Sequence, residues 1–71
     1  MVKLIRPVVL KRHYGKDYSV KLRLTNDDVA SLLNRPLSVR ARKRHRGRQL
    51  CYVDGGGAPR WVDSRVLYET V

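Results

Sequence analysis

Apolar and polar residues alternate with a period of two near the start of the chain, which is typical of a half-buried β-strand. The alternating apolar positions are Tyr18, Val20, Leu22 and Leu24, and the polar ones between them are Ser19, Lys21 and Arg23. Upstream, residues 2–12 are rich in Val, Leu and Ile, Pro7 marks a bend or a sheet edge, and Gly15 suits a turn. The pattern predicts a hairpin of two strands, over residues 2–12 and 18–24.

The period changes to about four in "TNDDVASLLN", residues 25–34. Thr25 can cap a helix, and Asp28 follows three residues later, as in a capping box. The helical spacing puts Val29, Leu32 and Leu33 on one face. Asn34 and the proline at 36 end the segment, because the residue before a proline avoids the helical region. A short helix is therefore predicted, docked by its apolar stripe.

The period of two returns in "LSVRARKRHRGRQLCYV", residues 37–53. One face is predicted to carry Leu37, Val39 and Ala41, and the other Ser38, Arg40 and Arg42. After a turn near residues 45–47, Leu50 and Tyr52 alternate with Cys51 and Val53. The basic run at 40–48 is thus predicted to form the tip and one face of an ordered hairpin, and not a disordered tail.

The remaining segment begins with "DGGGAPR", residues 54–60, where Asp-Gly is a strong signal for chain reversal. "WVDSRVLYE" follows, either as a final strand or as a strand and one helical turn. The whole chain, residues 1–71, is predicted to be one β-rich α+β domain with the order β-β-α-β-β-β. Such a sheet is expected to curl, or to close into a small half-open barrel.

The end of the chain resembles the end of SH3-type barrels. There an aromatic-aliphatic pair, a short polar turn and an aliphatic finish complete the sheet, as Trp61-Val62, Asp63-Ser64-Arg65 and Val66-Leu67 do in sequence. The resemblance covers about ten residues, and the predicted helix and the start of the chain depart from the pattern. It implies an SH3-like fold and nothing about function.

The net charge of +10 is the outlying feature of the composition, with sixteen Lys and Arg against six Asp and Glu. So large an excess repels itself in a small folded domain, and an anionic partner relieves the repulsion. General solubility is the alternative explanation, although a smaller excess of charge would supply it.

Several function classes lack support in the sequence. The nucleophile and base candidates, Cys51, the serines, His13 and His45, have no catalytic motif around them, and Cys51 is predicted to be a buried structural thiol. There is one cysteine and no Cys/His cluster, so no disulfide, metal or cofactor is expected. No apolar run is long enough for a membrane helix or a signal peptide. A cytoplasmic, monomeric, non-enzymatic domain without a small-molecule substrate is expected.

The candidate binding residues are the basic ones on the predicted strands. They are Arg40, Arg42, Lys43, Arg44, Arg46 and Arg48 in the second hairpin, and Lys21 and Arg23 in the first. Arginine matches phosphate in a two-bond fork. Tyr14 is predicted to be the exposed ring available for base stacking, whereas Tyr18 and Tyr52 are predicted to pack in the core, which disfavours a single-strand groove.

In layout, size and charge the chain resembles small phage-encoded transcription regulators that bind host RNA polymerase. That resemblance implies a regulatory adaptor whose partner is RNA polymerase or another acidic protein surface, in a bacterial or phage-infected cell. The alternative is a non-specific DNA- or RNA-binding module from a plasmid, phage or ribosome.

Overall fold

The computed structural model describes residues 1–55, 57 and 59–70. They form an α+β domain in which three helices precede most of the strands. The strands are β1 (Val2–Leu4), β2 (Ser38–His45), β3 (Arg48–Asp54), β4 (Arg60–Asp63) and β5 (Leu67–Glu69). The helices are α1 (Pro7–Tyr14), α2 (Tyr18–Lys21) and α3 (Asn26–Leu32), and a 3-10 turn (Ser64–Val66) joins β4 to β5.

The first predicted hairpin is wrong, because most of residues 2–12 belongs to helix α1 and not to a strand. Pro7 occupies the first turn of α1, where its missing N–H costs no hydrogen bond. Leu10 is buried, and Tyr14 follows at the helical spacing of four. Gly15 ends the helix with φ 94°, and its N–H donates to the Lys11 carbonyl at 2.8 Å. The β-branched composition concealed this helical spacing.

The predicted strand over residues 18–24 is also wrong, because Tyr18–Lys21 forms helix α2. Tyr18 and Leu22 are four residues apart, so the alternating pattern contains a helical pair as well. Leu22 is buried and Tyr18 packs against the core, whereas Val20 is 77% exposed. Of the four apolar positions, Leu22 and Leu24 are thus buried, Tyr18 is half-buried and Val20 lies in solvent.

The predicted third element is confirmed as helix α3. The Asp28 N–H donates to the Thr25 hydroxyl, and the Thr25 N–H donates to the Asp28 carboxylate, both at 3.1 Å, which completes the capping box. Leu32 is buried, and Val29 and Leu33 pack against the core beside it. The apolar stripe therefore docks the helix as expected.

Two antiparallel sheets form from the five strands. One has the order β2-β3-β4, the other pairs β1 with β5, and an isolated bridge between Val2 and Leu37 connects them. The strand and helical turn predicted for the final segment are present as β4 and the 3-10 turn. Since one bridge alone joins the sheets in the described residues, the SH3-like barrel stays a prediction.

The reversal predicted for residues 54–60 is confirmed by the antiparallel pairing of β3 and β4, although Gly56 and Ala58 lie outside the described residues. Gly55 has φ 121°, and a Cβ added there would lie 2.7 Å from the Pro36 carbonyl oxygen. Both facts require glycine at this position.

The core lies between the helices and the two sheets. Its buried side chains are Val2, Leu4, Leu10, Leu22, Leu24, Leu32, Leu37, Cys51, Val53, Val62 and Val66. The Cys51 thiol is thus a buried packing group, as predicted. None of the described helices combines the length and the apolar character needed to cross a membrane.

Candidate nucleic-acid interface

The second predicted hairpin is confirmed, and it carries the basic run. Strands β2 and β3 pair from Ser38 opposite Asp54 to His45 opposite Arg48. Arg46 and Gly47 form the connection, with φ values of 51° and 76°. Positive φ at both central residues is the pattern of a type I′ turn, whose twist matches that of paired strands. The basic residues therefore belong to an ordered ribbon.

Arg46 occupies a turn position that its side chain does not favour. Asn, Asp and Gly are the residues that adopt the left-handed conformation most readily, and other residues pay about 1 kcal/mol or more. An arginine here adds a cation at the tip at the expense of turn stability. Such strain clusters at functional sites, and Arg23 and Asn34 also have positive φ in this chain.

A β-bulge in β2 changes which basic residues share a face. Val39 opposes Val53 and Arg42 opposes Cys51, so Arg40 is the extra residue between two pairs. Ala41 now opposes Tyr52, on the other side of the ribbon from Val39 and Arg42. The predicted alternation is wrong beyond Val39, because a single extra residue reverses every later side chain.

Five of the six predicted hairpin cations are exposed and take part in no ion pair within the described residues. They are Arg40, Arg42, Lys43, Arg44 and Arg46. Strand β2 lies at the edge of its sheet, and its eight residues extend over about 27 Å. This length is close to the longest dimension of the molecule, 29 Å. The cations occupy the part of this edge from Arg40 to Arg44, and Arg46 follows in the turn.

Charged residues on an edge strand also have a purely structural explanation, since they prevent pairing with strands of other molecules. Charge of either sign serves that purpose. All the charged side chains of β2 are positive, and the turn adds Arg46 to them. A single sign over the whole edge favours a surface for an anionic ligand.

Arg48 differs from the other hairpin cations because it is half-buried and paired. Its Nε donates to Asp63 Oδ2 at 3.3 Å, and Nη2 donates to the Leu22 carbonyl at 3.4 Å. Asp63 also accepts from Arg65, at 3.1 Å on Oδ1 and 2.8 Å on Oδ2. Arg48 thus attaches the turn end of the hairpin to β4 and to the residue after α2.

The Asp63 carboxylate is almost completely buried, with 1% of its side chain exposed. Burial alone would raise its pKa, but the hydrogen bonds and charge of Arg65, with a further bond from Arg48, hold the pKa of Asp63 below its usual range. The hydrogen bond to Asp63 correspondingly raises the pKa of Arg65. Asp63 is therefore an ionised structural anion, which holds two arginines.

Lys21 and Arg23 do not extend the hairpin surface by the predicted route, because they are not on a strand. Lys21 is at the end of α2, where its Nζ donates to the Tyr14 carbonyl at 3.1 Å. Arg23 follows in a turn with φ 51°. Both side chains are exposed, and the premise that they share a strand face is wrong.

The exposed aromatic surface is not at Tyr14. That residue ends α1, is half-buried against the core and lies edge-on to His13, with ring centroids 4.8 Å apart. The aromatic pair on the three-stranded sheet is Tyr52 and Trp61, directly opposed on β3 and β4. Their centroids are 5.0 Å apart at an interplanar angle of 47°.

Lys43 completes this aromatic surface from the hairpin. Its Nζ lies 4.4 Å from the Trp61 ring centroid, within cation–π range. Trp61 is 39% exposed and Tyr52 is half-buried, so the predicted core position of Tyr52 is wrong. The alternation of Leu50 and Tyr52 with Cys51 and Val53 was the available signal, since either pair could face the core.

No group of three or more His, Cys, Asp or Glu side chains comes together as a metal site in the part of the chain that the structure describes. Neither histidine has a carboxylate partner among the same residues. Comparison with known proteins found no matching family model, no matching curated protein and no matching solved structure.

Proposed function

We propose that this domain binds nucleic acid through the β2–β3 hairpin, without reading base sequence. The observation that carries the proposal is a set of five exposed cations over residues 40–46, on the edge strand β2 and its turn, none of them paired within the described residues. Six carboxylates serve the whole chain, and two of them, Asp28 and Asp63, are already held by arginines of β3, β4 and the 3-10 turn. The other four carboxylates form no ion pair with the hairpin within the described residues, which leaves its cations free for the anions of a partner.

The chemistry of the row favours phosphate as that anion. Four of its five members are arginines, whose guanidinium groups bind phosphate oxygens with two parallel hydrogen bonds and are weakly hydrated. Arginine can contact guanine, but Gln49 is the one amide side chain on the paired part of the hairpin, so the varied set of side chains that reads a base sequence is not present there. Backbone attachment with little sequence preference is the expected mode.

Mapping the bound surface by nuclear magnetic resonance tests this proposal. Isotope-labelled protein is titrated with an oligothymidylate of about twelve nucleotides and with a duplex of about the same length. We expect the largest shifts at the backbone amides of residues 39–47, together with the guanidinium resonances of Arg42, Arg44 and Arg46. An absence of shifts with both ligands, or shifts centred on α1 and α2, would contradict the proposal.

A second candidate function is an adaptor on the transcription apparatus, with RNA polymerase as the partner. It is favoured by three valines left exposed on the helical side, Val8 and Val9 on α1 and Val20 on α2. A shallow apolar groove lies on the same side, lined by Ile5, Val9, Leu10, His13 and Tyr14. Exposed apolar side chains on a domain this charged suit a protein contact.

Purified, nuclease-treated RNA polymerase distinguishes the two candidates. Binding that survives nuclease and is lost in the double variant Val8→Ser/Val20→Ser supports the adaptor. If binding needs added nucleic acid, or if the double variant retains it, the adaptor through the exposed valines is contradicted. Nucleic-acid binding is then the remaining candidate. For both candidate functions we propose a cytoplasmic location in a bacterial or phage-infected cell.

The finer fold assignment also belongs here as a proposal. The bridge between Val2 and Leu37 joins the two sheets at one point, and β4, the 3-10 turn and β5 follow one another as in the end of an SH3-type barrel. These two features support a half-open SH3-like arrangement that presents the hairpin on its edge.

A further inference from the structure

The outer side of the three-stranded sheet carries a feature that backbone attachment does not use. Ala41, Tyr52 and Trp61 lie in one row across β2, β3 and β4, as direct neighbours in the register. Ala41 is exposed and small, so it leaves the two rings open toward the hairpin edge. An open pair of rings beside a row of cations is a second, independent element of a binding surface.

Position and charge identify the ligand that fits this pair. Each nucleobase has a π-face that stacks on an aromatic side chain, and the backbone beside it is anionic. In a duplex the bases are already stacked on one another, so exposed rings offer them little. We infer that single-stranded nucleic acid is the preferred ligand, with a base stacked on Trp61 and the adjoining phosphates on the hairpin.

Lys43 connects the two halves of the surface. Its Nζ lies over Trp61 in the free protein, 4.4 Å from the ring centroid, and its side chain is exposed. A base that stacks on Trp61 displaces the ammonium group, which then lies next to the phosphate of the same nucleotide. The cation protects the exposed ring before binding and neutralises the ligand afterwards.

The arginines of β2 lie within reach of a strand bound in this way. Arg42 and Arg44 leave β2 on the side opposite to the rings, as their partners Cys51 and Gln49 in the register show. Since β2 is an edge strand, a phosphate backbone that runs along the edge can meet long side chains from both sides. The edge therefore supplies charge, and the outer face supplies stacking.

The structural alternative is that the aromatic pair only stabilises the sheet, since cross-strand aromatic pairs commonly do so. Sheet stabilisation needs contact between the rings but no exposed ring face. Trp61 keeps 39% of its surface exposed, and the group over the ring is the exposed side chain of Lys43, which a ligand can displace.

Trp61 is the only tryptophan, so its own fluorescence reports whether a base reaches it. With wild-type protein, we expect saturating oligothymidylate and oligouridylate to quench this fluorescence, and a duplex of equal length to leave it nearly unchanged. Comparison of oligothymidylate with oligouridylate shows whether single-stranded DNA or RNA is the better ligand. Quenching by none of the ligands that bind would overturn the inference.

Substitution of the ring gives the second arm of the test. Trp61→Ala is expected to weaken single-strand binding about tenfold and duplex binding by less than about twofold. Trp61→Phe keeps a stacking ring and should retain most of the affinity. Tyr68→Ala is the matched control for stacking, because Tyr68 is an exposed ring on β5 of the other sheet, where it lines a cavity with Arg42 on the side opposite to the Tyr52–Trp61 pair. Equal losses for Trp61→Ala and Tyr68→Ala, or equal losses on both ligands, would contradict the inference.

This inference rests on the proposed function, and the two fail in different ways. If neither single strand nor duplex binds, the proposed function is lost and the inference with it. If both bind with equal affinity and no quenching occurs, nucleic-acid binding stands and the preference for single strands is wrong. If Trp61→Ala does not fold, the wild-type quenching decides.

Discussion

The triple variant Arg42→Gln/Arg44→Gln/Arg46→Gln is expected to bind single-stranded nucleic acid about 100-fold more weakly than the wild type at about 0.1 M salt. Each phosphate contact that is lost removes about 0.7 from the magnitude of the log–log salt slope for single strands, and three contacts remove about 2.1. With equal binding at about 1 M salt, this difference amounts to about two orders of magnitude at 0.1 M. Fluorescence anisotropy of a labelled oligothymidylate measures it.

A matched control separates the position of the charge from its amount. Arg6, Lys11 and Arg12 are exposed, form no ion pair within the described residues and lie away from the hairpin in sequence. Their replacement by Gln removes the same net charge. We expect the control triple variant to lose no more than about fivefold in affinity, through the weaker overall field. Equal losses in the two triple variants would show that net charge, and not the hairpin, determines binding.

Asp63→Asn is expected to lower the free energy of unfolding by about 2–3 kcal/mol near neutral pH. The substitution keeps the side-chain shape but leaves Arg48 and Arg65 without their shared anion, and an ion pair broken on one side leaves an uncompensated charge. The expected loss is smaller than for a fully buried ion pair, because both guanidinium groups are partly solvated, with 21% and 50% of their side chains exposed. Denaturant unfolding measures the change.

The pH dependence of this difference identifies its cause. The pKa of Asp63 is lower in the folded protein than its ordinary value of 3.8, so its stabilising contribution is complete above that value and is lost as the pH falls through the folded-state pKa. The wild type and Asp63→Asn should therefore converge in acid. Asp17→Asn, at an exposed carboxylate without an ion pair in the described residues, should change stability by less than about 0.5 kcal/mol at any pH. A constant difference down to acid pH would contradict the assignment.

Local signals predicted the elements from residue 25 onward well. The capping box of Thr25 and Asp28, the alternation into β3 and the turn before β4 each specify one structure. The prediction over residues 2–24 was wrong because its signals fit two different structures. The spacing of Tyr18, Val20, Leu22 and Leu24 fits both a strand and a short helix, and packing of Leu22 in the core decides between them.

The sequence predicted some features of the candidate site and left others open. The basic hairpin was visible from apolar residues on both sides of the charged run, whereas the bulge at Arg40 carries no sequence signal. The side of the sheet on which Tyr52 lies was equally ambiguous, since Cys51 and Val53 could face the core as well as Leu50 and Tyr52. In the structure Cys51 and Val53 are buried, so Tyr52 lies on the outer face beside Trp61.

The salt dependence of wild-type binding tests the cationic hairpin most directly. Neutralisation of five phosphates by Arg40, Arg42, Lys43, Arg44 and Arg46 gives a log–log slope of about −3.5 for a single strand. The affinity for oligothymidylate should then fall by about 130-fold between about 50 and 200 mM salt. A slope close to zero, or no measurable binding at the lower salt concentration, would contradict a phosphate-binding edge.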